Sequence, residues 1–241
     1  MRSRLLVLED DDHIRAVLRL ALEDEGYDVL EHSRAEDALA EVPTADVQAM
    51  LVDLMLGGLD GFSFIRQVRH LSDAPIVVVS ARADTHDIVA ALEAGADDYV
   101  TKPFQTKEIS ARLRALQRRV QSQVPQGTSP ADDGAPKVLD SGRDGAAPLV
   151  LAQQAGLLRR GQDVVHLTLT EFRLLCELAT HSGLVLSRRT LLERVWEHGY
   201  FGDERIVDVH VRRLRTKIEA DPGRPELLVT VRGLGYRLDP R

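Results

Sequence analysis

The chain has 241 residues, a formal net charge of −7 and a single cysteine, Cys176. This length allows two ordinary domains, while one cysteine excludes an intrachain disulfide and favours a reducing compartment. The first residues, MRSRLLVLEDDD, hold an apolar run of only four residues before four acids, and no apolar run approaches about 18 residues. We therefore predict a cytoplasmic protein with neither a signal peptide nor a membrane partner. Cys176, within EFRLLCELA, is predicted to be a core residue rather than a reactive thiol.

Charge is unevenly distributed along the chain. Residues 1–121 carry 14 Lys and Arg against 22 Asp and Glu, whereas residues 149–241 carry 15 against 12. The opposite signs suggest different partners, and the basic half is the one to test for nucleic acid. Residues 122–147 are rich in Gly, Pro, Ser and Asp, so we predict a flexible linker between domains at 1–121 and 148–241.

The first half alternates short apolar runs with amphipathic segments. The runs lie at 5–8, 27–30, 47–52, 75–79 and 98–101. One amphipathic segment places five apolar side chains on one helical face: Ile14, Val17, Leu18, Ala21 and Leu22. Five strands alternating with helices predict a parallel sheet covered on both faces.

Polar side chains follow four of these runs. They are Glu9, Asp10, Asp11 and Asp12 after the first, Asp53 after the third, Ser80 after the fourth, and Lys102 after the fifth. Ligands of open parallel sheets bind at the carboxyl ends of the strands. Converging carboxylates suit Mg²⁺, and a lysine with a hydroxyl suits a phosphoryl group. Taken singly, the acidic run could cap a helix, Asp53 could cap a turn, and Lys102 could be a solvated surface residue.

Four motifs carry a family resemblance: LLVLEDDDHIR, VDLMLGGLDGF, VVVSARAD and GADDYVTKPF. In this order they resemble the receiver domain of two-component response regulators. The resemblance implies a flavodoxin-like, doubly wound five-stranded parallel sheet with strand order 2-1-3-4-5. It also implies phosphorylation of Asp53 by a sensor histidine kinase. The protein would then accept a phosphoryl group, and could slowly lose it, without being an enzyme.

The resemblance assigns roles to individual positions of the pocket. The implied Mg²⁺ ligands are Glu9, acting through water, Asp10, Asp53 and the backbone carbonyl of Met55. Lys102, with a cis bond to Pro103, would bind the phosphoryl oxygens. Ser80 would supply the hydroxyl group that binds the phosphoryl group, and Tyr99 would be the switch aromatic. Family members usually have proline where Gly57 stands, so we expect a looser loop there.

The same resemblance implies a homodimer formed on phosphorylation. The implied dimer residues are Asp97, Asp98, Glu108, Arg112 and Arg119. The basic partner expected for Glu108 is replaced by Ile88. We therefore expect a weaker dimer of unchanged geometry.

In the basic half, the segment RIVDVHVRRLRTKI is typical of an amphipathic helix. An apolar stripe holds Val207, Val211, Leu214 and Ile218. The opposite side holds Arg205, Val209, Arg212, Arg213 and Thr216. Such a helix suits the DNA major groove, although an ordinary solvated helix face would look similar.

Three longer segments resemble the winged helix-turn-helix α+β domain of the OmpR/PhoB subfamily: LTLTEFRLLCELATHSGLVLSRRTLLERVW, RIVDVHVRRLRTKIE and LLVTVRGLGYRL. The DNA contacts implied are Trp196, Arg205, Val209, His210, Arg212, Arg213, Arg215, Thr230 and Arg232. The loop at 197–204 corresponds to the segment that contacts RNA polymerase in activators. Trp196 could instead be a core residue, and Gly233 and Gly235 could only permit the turn. Ile206 departs from the small polar residue of some relatives.

The two resemblances together predict a response regulator. Phosphorylation of Asp53 would favour a dimer that binds tandem promoter half-sites and changes transcription. The main alternative is an atypical regulator that acts without phosphorylation. An aspartyl-phosphate phosphatase is disfavoured because Met55 stands where such enzymes carry a second aspartate, and a pure interaction module is disfavoured by the basic helix.

Overall fold

The computed structural model describes residues 2–121, 136–142, 146–196 and 204–241, without the side chains of Ala115 and of residues 117–121. The chain divides into two compact units, Met1–Gln117 and Arg118–Arg241. Across the described ranges, no helix is both long and apolar enough to span a lipid bilayer.

The first unit is a five-stranded parallel sheet with strand order 2-1-3-4-5, as predicted. Its strands are β1 (Arg4–Leu8), β2 (Asp28–His32), β3 (Ala49–Val52), β4 (Ile76–Ser80) and β5 (Asp98–Thr101). The helices between and after them are α1 (Asp12–Asp24), α2 (Ala35–Ala45), α3 (Gly61–Val68), α4 (Thr85–Ala94) and α5 (Thr106–Gln121).

The sheet is buried on both faces, which explains why its central strands are continuous apolar runs. On one face, Leu5 and Leu51 pack with Leu18 of α1 and Leu113 of α5. Val17, predicted on the same helical face as Leu18, is 54% exposed instead. The buried stripe of α1 is therefore narrower than the sequence pattern indicated.

The second unit begins with an antiparallel sheet in the order β6 (Lys137–Asp140), β7 (Leu149–Ala152), β8 (Leu157–Arg160) and β9 (Asp163–Val164). Three helices follow, α6 (Leu169–Thr180), α7 (Arg188–Val195) and α8 (Arg205–Ile218). A hairpin of β10 (Leu228–Val231) and β11 (Gly235–Leu238) ends the unit. This is the predicted winged-helix architecture.

The linker predicted at 122–147 is wrong for residues 137–140, because these residues form β6. Val138 pairs with Val150 of β7, and the backbone N–H of Arg241 donates to the carbonyl of Leu139 at 3.0 Å. The first partner is 12 residues away in sequence and the second is 102 residues away. A short segment among Gly, Pro and Asp residues therefore gains its strand structure from tertiary pairing rather than from local periodicity.

Candidate functional sites

The carboxyl ends of β1 and β3 bring three acidic residues together. The backbone N–H of Asp53 donates to the carbonyl of Leu8 at 2.9 Å, which aligns the two strand ends. Ligand oxygens of Glu9, Asp10 and Asp53 then lie within 4.8 Å of one another. Glu9 and Asp53 are buried, and Asp10 is exposed. The predicted carboxylate cluster is thus present and open to solvent on one side.

Lys102 places a cation against this cluster. Its Nζ lies 2.6 Å from Oδ2 of Asp53 and 2.8 Å from Oε2 of Glu9. Burial alone would lower the pKa of Lys102, but its hydrogen bonds to the two carboxylates outweigh burial and raise it. Burial raises the pKa of Glu9, and the hydrogen bond from Lys102 opposes that shift. The Lys102–Pro103 peptide bond is cis, as expected.

The donor set of the pocket fits a hard divalent cation. It consists of carboxylate oxygens from Glu9, Asp10 and Asp53, the ligand type that Mg²⁺ prefers. The side chain of Met55 is 52% exposed, and its backbone N–H donates to Oδ1 of Asp53 at 3.0 Å. Met55 therefore lies beside the Asp53 carboxylate and contacts it through its backbone.

The capping interpretation of the acidic run also holds for part of it. Oδ1 of Asp11 accepts from the backbone N–H groups of His13 and Ile14 at 2.9 and 3.0 Å, which caps α1. Asp12 pairs with Arg15 on the helix surface. One run of four acids thus serves both the pocket and the start of the helix.

Ser80 and Tyr99 lie at the carboxyl end of β4 and in β5. Ser80 is fully buried, and its Oγ lacks a hydrogen-bond partner within the described part of the chain. The hydroxyl of Tyr99 donates to the carbonyl of Arg82 at 2.5 Å, and the ring is 7% exposed. Burial raises the pKa of Tyr99, and the nearby Ser80 hydroxyl opposes the shift although no well-formed hydrogen bond joins the two. The aromatic ring therefore points inward.

Glu36, in the first turn of α2, contacts the loop after β3 and was missed by sequence reasoning. Its Oε1 accepts from the backbone N–H of Leu59 at 3.2 Å, which ties the loop after β3 to the start of α2. The hydrogen bonds from backbone N–H groups of Glu36 itself and of Leu59 lower the pKa of Glu36. An acid at the first turn of a predicted helix was the available signal. Greater looseness at Gly57 stays a prediction.

The predicted dimer face needs correction at Asp97. This residue is fully buried, and its Oδ2 accepts from the backbone N–H of Ile76 at 2.9 Å and from Arg69 at 2.5 Å. An acid enclosed by its own chain cannot pair with a partner surface without rearrangement.

The other predicted dimer residues that are described pair within the chain. Asp98 is 1% exposed and lies 2.9 Å from Nη1 of Arg112. Glu108 lies 2.7 Å from Nη2 of Arg112. The side chain of Arg119 lies outside the described residues. A dimer using Asp98, Glu108 and Arg112 would therefore exchange internal pairs for intermolecular ones.

In the second unit, α8 presents a basic outer side. Arg205, Arg212 and Thr216 are exposed, as predicted. Val209 and His210 were predicted to face DNA, but they are 6% and 0% exposed. The buried side of α8 is therefore wider than the predicted apolar stripe and includes Val209 and His210.

Two further residues that were predicted to contact DNA instead contact side chains within the second unit. Arg213 lies 2.9 Å from Oε1 of the fully buried Glu171, whose other oxygen lies 2.6 Å from Lys217. Trp196 is 4% exposed, with its ring centroid 5.2 Å from that of His210. The core interpretation of Trp196 therefore describes this structure.

Two residues of the hairpin are predicted to contact DNA, and one of them, Arg232, lies at the tip. Arg232 is exposed beside the turn, where Gly233 has a φ of +75°. Thr230 is also exposed, and its hydroxyl accepts from Arg215 at 2.8 Å. Arg215, predicted to contact DNA, therefore reaches the hairpin instead. The loop at 197–203 lies outside the described residues.

A receiver sheet carrying an acidic pocket, joined to a winged helix, defines the response-regulator class, and sequence comparison agrees. Residues 5–114 match the family described as response regulator receiver domain, and residues 161–238 match transcriptional regulatory protein, C terminal. The chain belongs to the two-component response regulators of the OmpR/PhoB type, with a receiver domain and a DNA-binding domain.

Curated relatives match this chain over almost their whole length. The chain is 42% identical to the transcriptional regulatory protein AfsQ1 of Streptomyces coelicolor over 98% of both chains. It is 44% identical to CseB of Streptomyces avermitilis over 98% of both chains. It is 41% identical to the sensory transduction protein RegX3 of Mycobacterium tuberculosis, covering 98% of this chain and 99% of the relative.

Solved structures agree with the architecture. A mutant of RitR matches with a TM-score of 0.74 at 26% identity, covering 99% of this chain and all of that one. DrrB, an OmpR/PhoB homologue from Thermotoga maritima, matches with a TM-score of 0.50 at 27% identity over the same shares. Both matches extend over the two units.

Proposed function

We propose that Asp53 accepts a phosphoryl group from a sensor histidine kinase and thereby controls DNA binding. The observation that carries this proposal is the 2.6 Å contact between Lys102 Nζ and Oδ2 of Asp53 at the open edge of the sheet. A lysine there places a positive charge beside the carboxylate, where phosphoryl oxygens would arrive.

The transfer uses groups that the pocket holds. A carboxylate oxygen of Asp53 forms a bond to phosphorus, and the N–P bond of the phosphohistidine breaks. The electron pair stays on the imidazole nitrogen, which takes a proton from water. The ammonium group of Lys102 binds the phosphoryl oxygens, and the buried Ser80 hydroxyl, which has no hydrogen-bond partner among the described residues, can donate to them. Mg²⁺ bound by Glu9, Asp10, Asp53 and the Met55 carbonyl would add positive charge at the phosphoryl group.

We infer that the protein is a phosphoryl acceptor rather than an enzyme. Met55 stands two residues after Asp53 and has no acidic group to protonate a leaving oxygen. Loss of the phosphoryl group would then depend on water alone and be slow.

The second unit would carry out the regulatory output, which is the binding of promoter DNA by a dimer. Phosphorylation would promote a dimer through the face of α4, β5 and α5, and Asp98, Glu108 and Arg112 would re-pair across it. The dimer would place two copies of α8 on tandem half-sites of a promoter, with the loop at 197–204 available to RNA polymerase.

The test of the phosphorylation step is the oligomeric state in solution. We would measure light scattering of the full chain and of Asp53→Ala with Mg²⁺, with and without acetyl phosphate. The control is Asp24→Ala, which removes an exposed aspartate at the end of α1. Dimerisation that needs both the donor and Asp53 supports the proposal. A dimer that forms without the donor favours the regulator that acts without phosphorylation.

The DNA-binding step needs its own experiment. A duplex recovered by the wild-type chain from a random-sequence library would serve as the probe. Arg212→Ala should weaken binding to this duplex by about 1–3 kcal/mol if Arg212 reads a base. Arg159→Ala, on the exposed side of β8, is the matched control. Equal affinities of the two variants would remove the assignment of Arg212.

A further inference from the structure

One tyrosine of the hairpin is enclosed by charged side chains from two helices. The ring centroid of Tyr236, in β11, lies 5.1 Å from the guanidinium carbon of Arg188 and 5.7 Å from that of Arg215. Its hydroxyl donates to Oδ1 of Asp208 at 2.6 Å, and Nε of Arg188 donates to the same oxygen at 2.7 Å. We call Arg188, Asp208, Arg215 and Tyr236 the Tyr236 cluster.

Arg215 extends the cluster to the other hairpin strand. Its Nε and Nη2 donate to the carbonyl of Leu228 at 2.9 and 2.7 Å, and Nη2 also donates to the hydroxyl of Thr230 at 2.8 Å. The planar guanidinium group suits this double contact, which a lysine could not reproduce. The Tyr236 cluster thus joins α7, α8, β10 and β11.

The hairpin depends on such attachments because two strands alone are marginally stable. Beside the turn, Tyr236 and Leu186 exchange two backbone hydrogen bonds, of 2.8 and 2.9 Å. A Cβ atom at Gly235 would lie 2.0 Å from the carbonyl oxygen of Leu186, so the first residues of β11 and the segment before α7 are in close contact. The tip, with Arg232 and Leu234, is exposed.

The contacts of Gly235 and Tyr236 with Leu186 attach β11 to the segment before α7, whereas the link from the hairpin to α8 includes Arg215 and the Tyr236–Asp208 hydrogen bond. We propose that the Tyr236 cluster is a positioning element that fixes the angle between α8 and the hairpin, so that Arg212 and Arg232 engage one DNA duplex as a unit. This inference rests on the proposed DNA binding. The residues of the Tyr236 cluster act by fixing the positions of Arg212 and Arg232.

Tyr236→Phe is the most conservative test because it keeps the ring between the two guanidinium groups and removes only the hydroxyl. Its control is Tyr27→Phe, which removes the hydroxyl of a buried tyrosine in the other unit. The probe is the duplex recovered by the wild-type chain from a random library. We expect Arg232→Ala to weaken binding about tenfold in the wild-type and Tyr27→Phe backgrounds, and less than about threefold in Tyr236→Phe. An equal loss in all three backgrounds would overturn the inference.

Hydrogen exchange of the DNA-free chain separates this inference from the proposed function. In Tyr236→Phe and in Arg215→Lys, amides of 228–238 should exchange faster while those of α6 do not change. Unchanged exchange at 228–238 in both variants would refute the positioning role, whatever the DNA result. Failure of the wild-type chain to recover any duplex would instead contradict the proposed DNA binding, and the exchange data would still decide the role of the cluster.

Discussion

The backbone of Gly61 lies directly against the carbonyl of Asp53. A Cβ atom at Gly61 would be 2.2 Å from the Asp53 oxygen and 2.6 Å from Cα of Leu54, whereas one at Gly57 would meet nothing within 4 Å. Close packing therefore requires glycine at position 61, where α3 begins, but not at position 57 in the loop before it.

These two glycines should respond oppositely to alanine. Gly61→Ala should destabilise the receiver domain by about 1–3 kcal/mol, because the added methyl group displaces the Asp53 backbone. Gly57→Ala should be neutral or stabilise it by up to about 1 kcal/mol, because it restricts only the unfolded chain. Urea unfolding of both variants checks this. Similar stability losses would show that the loop does not pack as described.

Magnesium should stabilise the receiver domain through Asp10. At a Mg²⁺ concentration tenfold above its Kd, binding to the folded state adds about 1.4 kcal/mol. Asp10→Asn should remove most of this gain, and Asp12→Asn should keep it because Asp12 pairs with Arg15 outside the cluster. Thermal unfolding with and without Mg²⁺ measures the difference. Equal gains in both variants would contradict the assignment of Asp10 as a ligand.

The buried pair of Arg69 and Asp97 should be necessary for the receiver fold. Arg69→Met leaves the fully buried Asp97 without its cation and should cost about 3–5 kcal/mol. Arg66→Met, on the exposed side of α3 just before Arg69, should change stability by less than about 0.5 kcal/mol. Chemical denaturation compares the two variants. A small loss in Arg69→Met would reopen an external role for Asp97.

Cys176 should be unreactive in the folded chain. Burial raises the pKa of its thiol to about 12, so only about one thiol in 10⁴ is ionised at pH 8. Modification by a thiol reagent at pH 8 should therefore be slow, and should accelerate when urea unfolds the second unit. Rapid modification without urea would contradict the structural role predicted for Cys176.

Tyr236 should make stability depend on pH in alkaline solution. Burial and then the hydrogen bond to Asp208 raise its pKa from 10.0 to about 12, against the opposing charges of Arg188 and Arg215. The folded state thus keeps a proton that the unfolded state loses. This contribution is complete below pH 10 and decreases by about 2–3 kcal/mol as the pH rises to 12. Urea unfolding of the second unit should show a larger decrease in the wild type than in Tyr236→Phe.

The sequence by itself determined the order of elements and the composition of the receiver pocket. Strand periodicity and the polar residues that follow each apolar run placed Glu9, Asp53, Ser80 and Lys102 at one edge of the sheet. Parallel strands end at a common edge, so this juxtaposition follows from local patterns once strand order is assigned. Family resemblance supplied that order and the winged helix.

Only the tertiary structure decided which partner each charged side chain takes. Asp97 is enclosed with Arg69, Arg213 pairs with Glu171, and Arg215 reaches the hairpin rather than solvent. Residues 137–140 become a strand only by pairing with 149–151 and the C-terminus. Helical periodicity gives the side of an element on which a residue lies. Ion pairs and strand pairs join positions far apart in sequence, so they are determined when the elements pack and burial makes an unpaired charge or an unpaired strand costly.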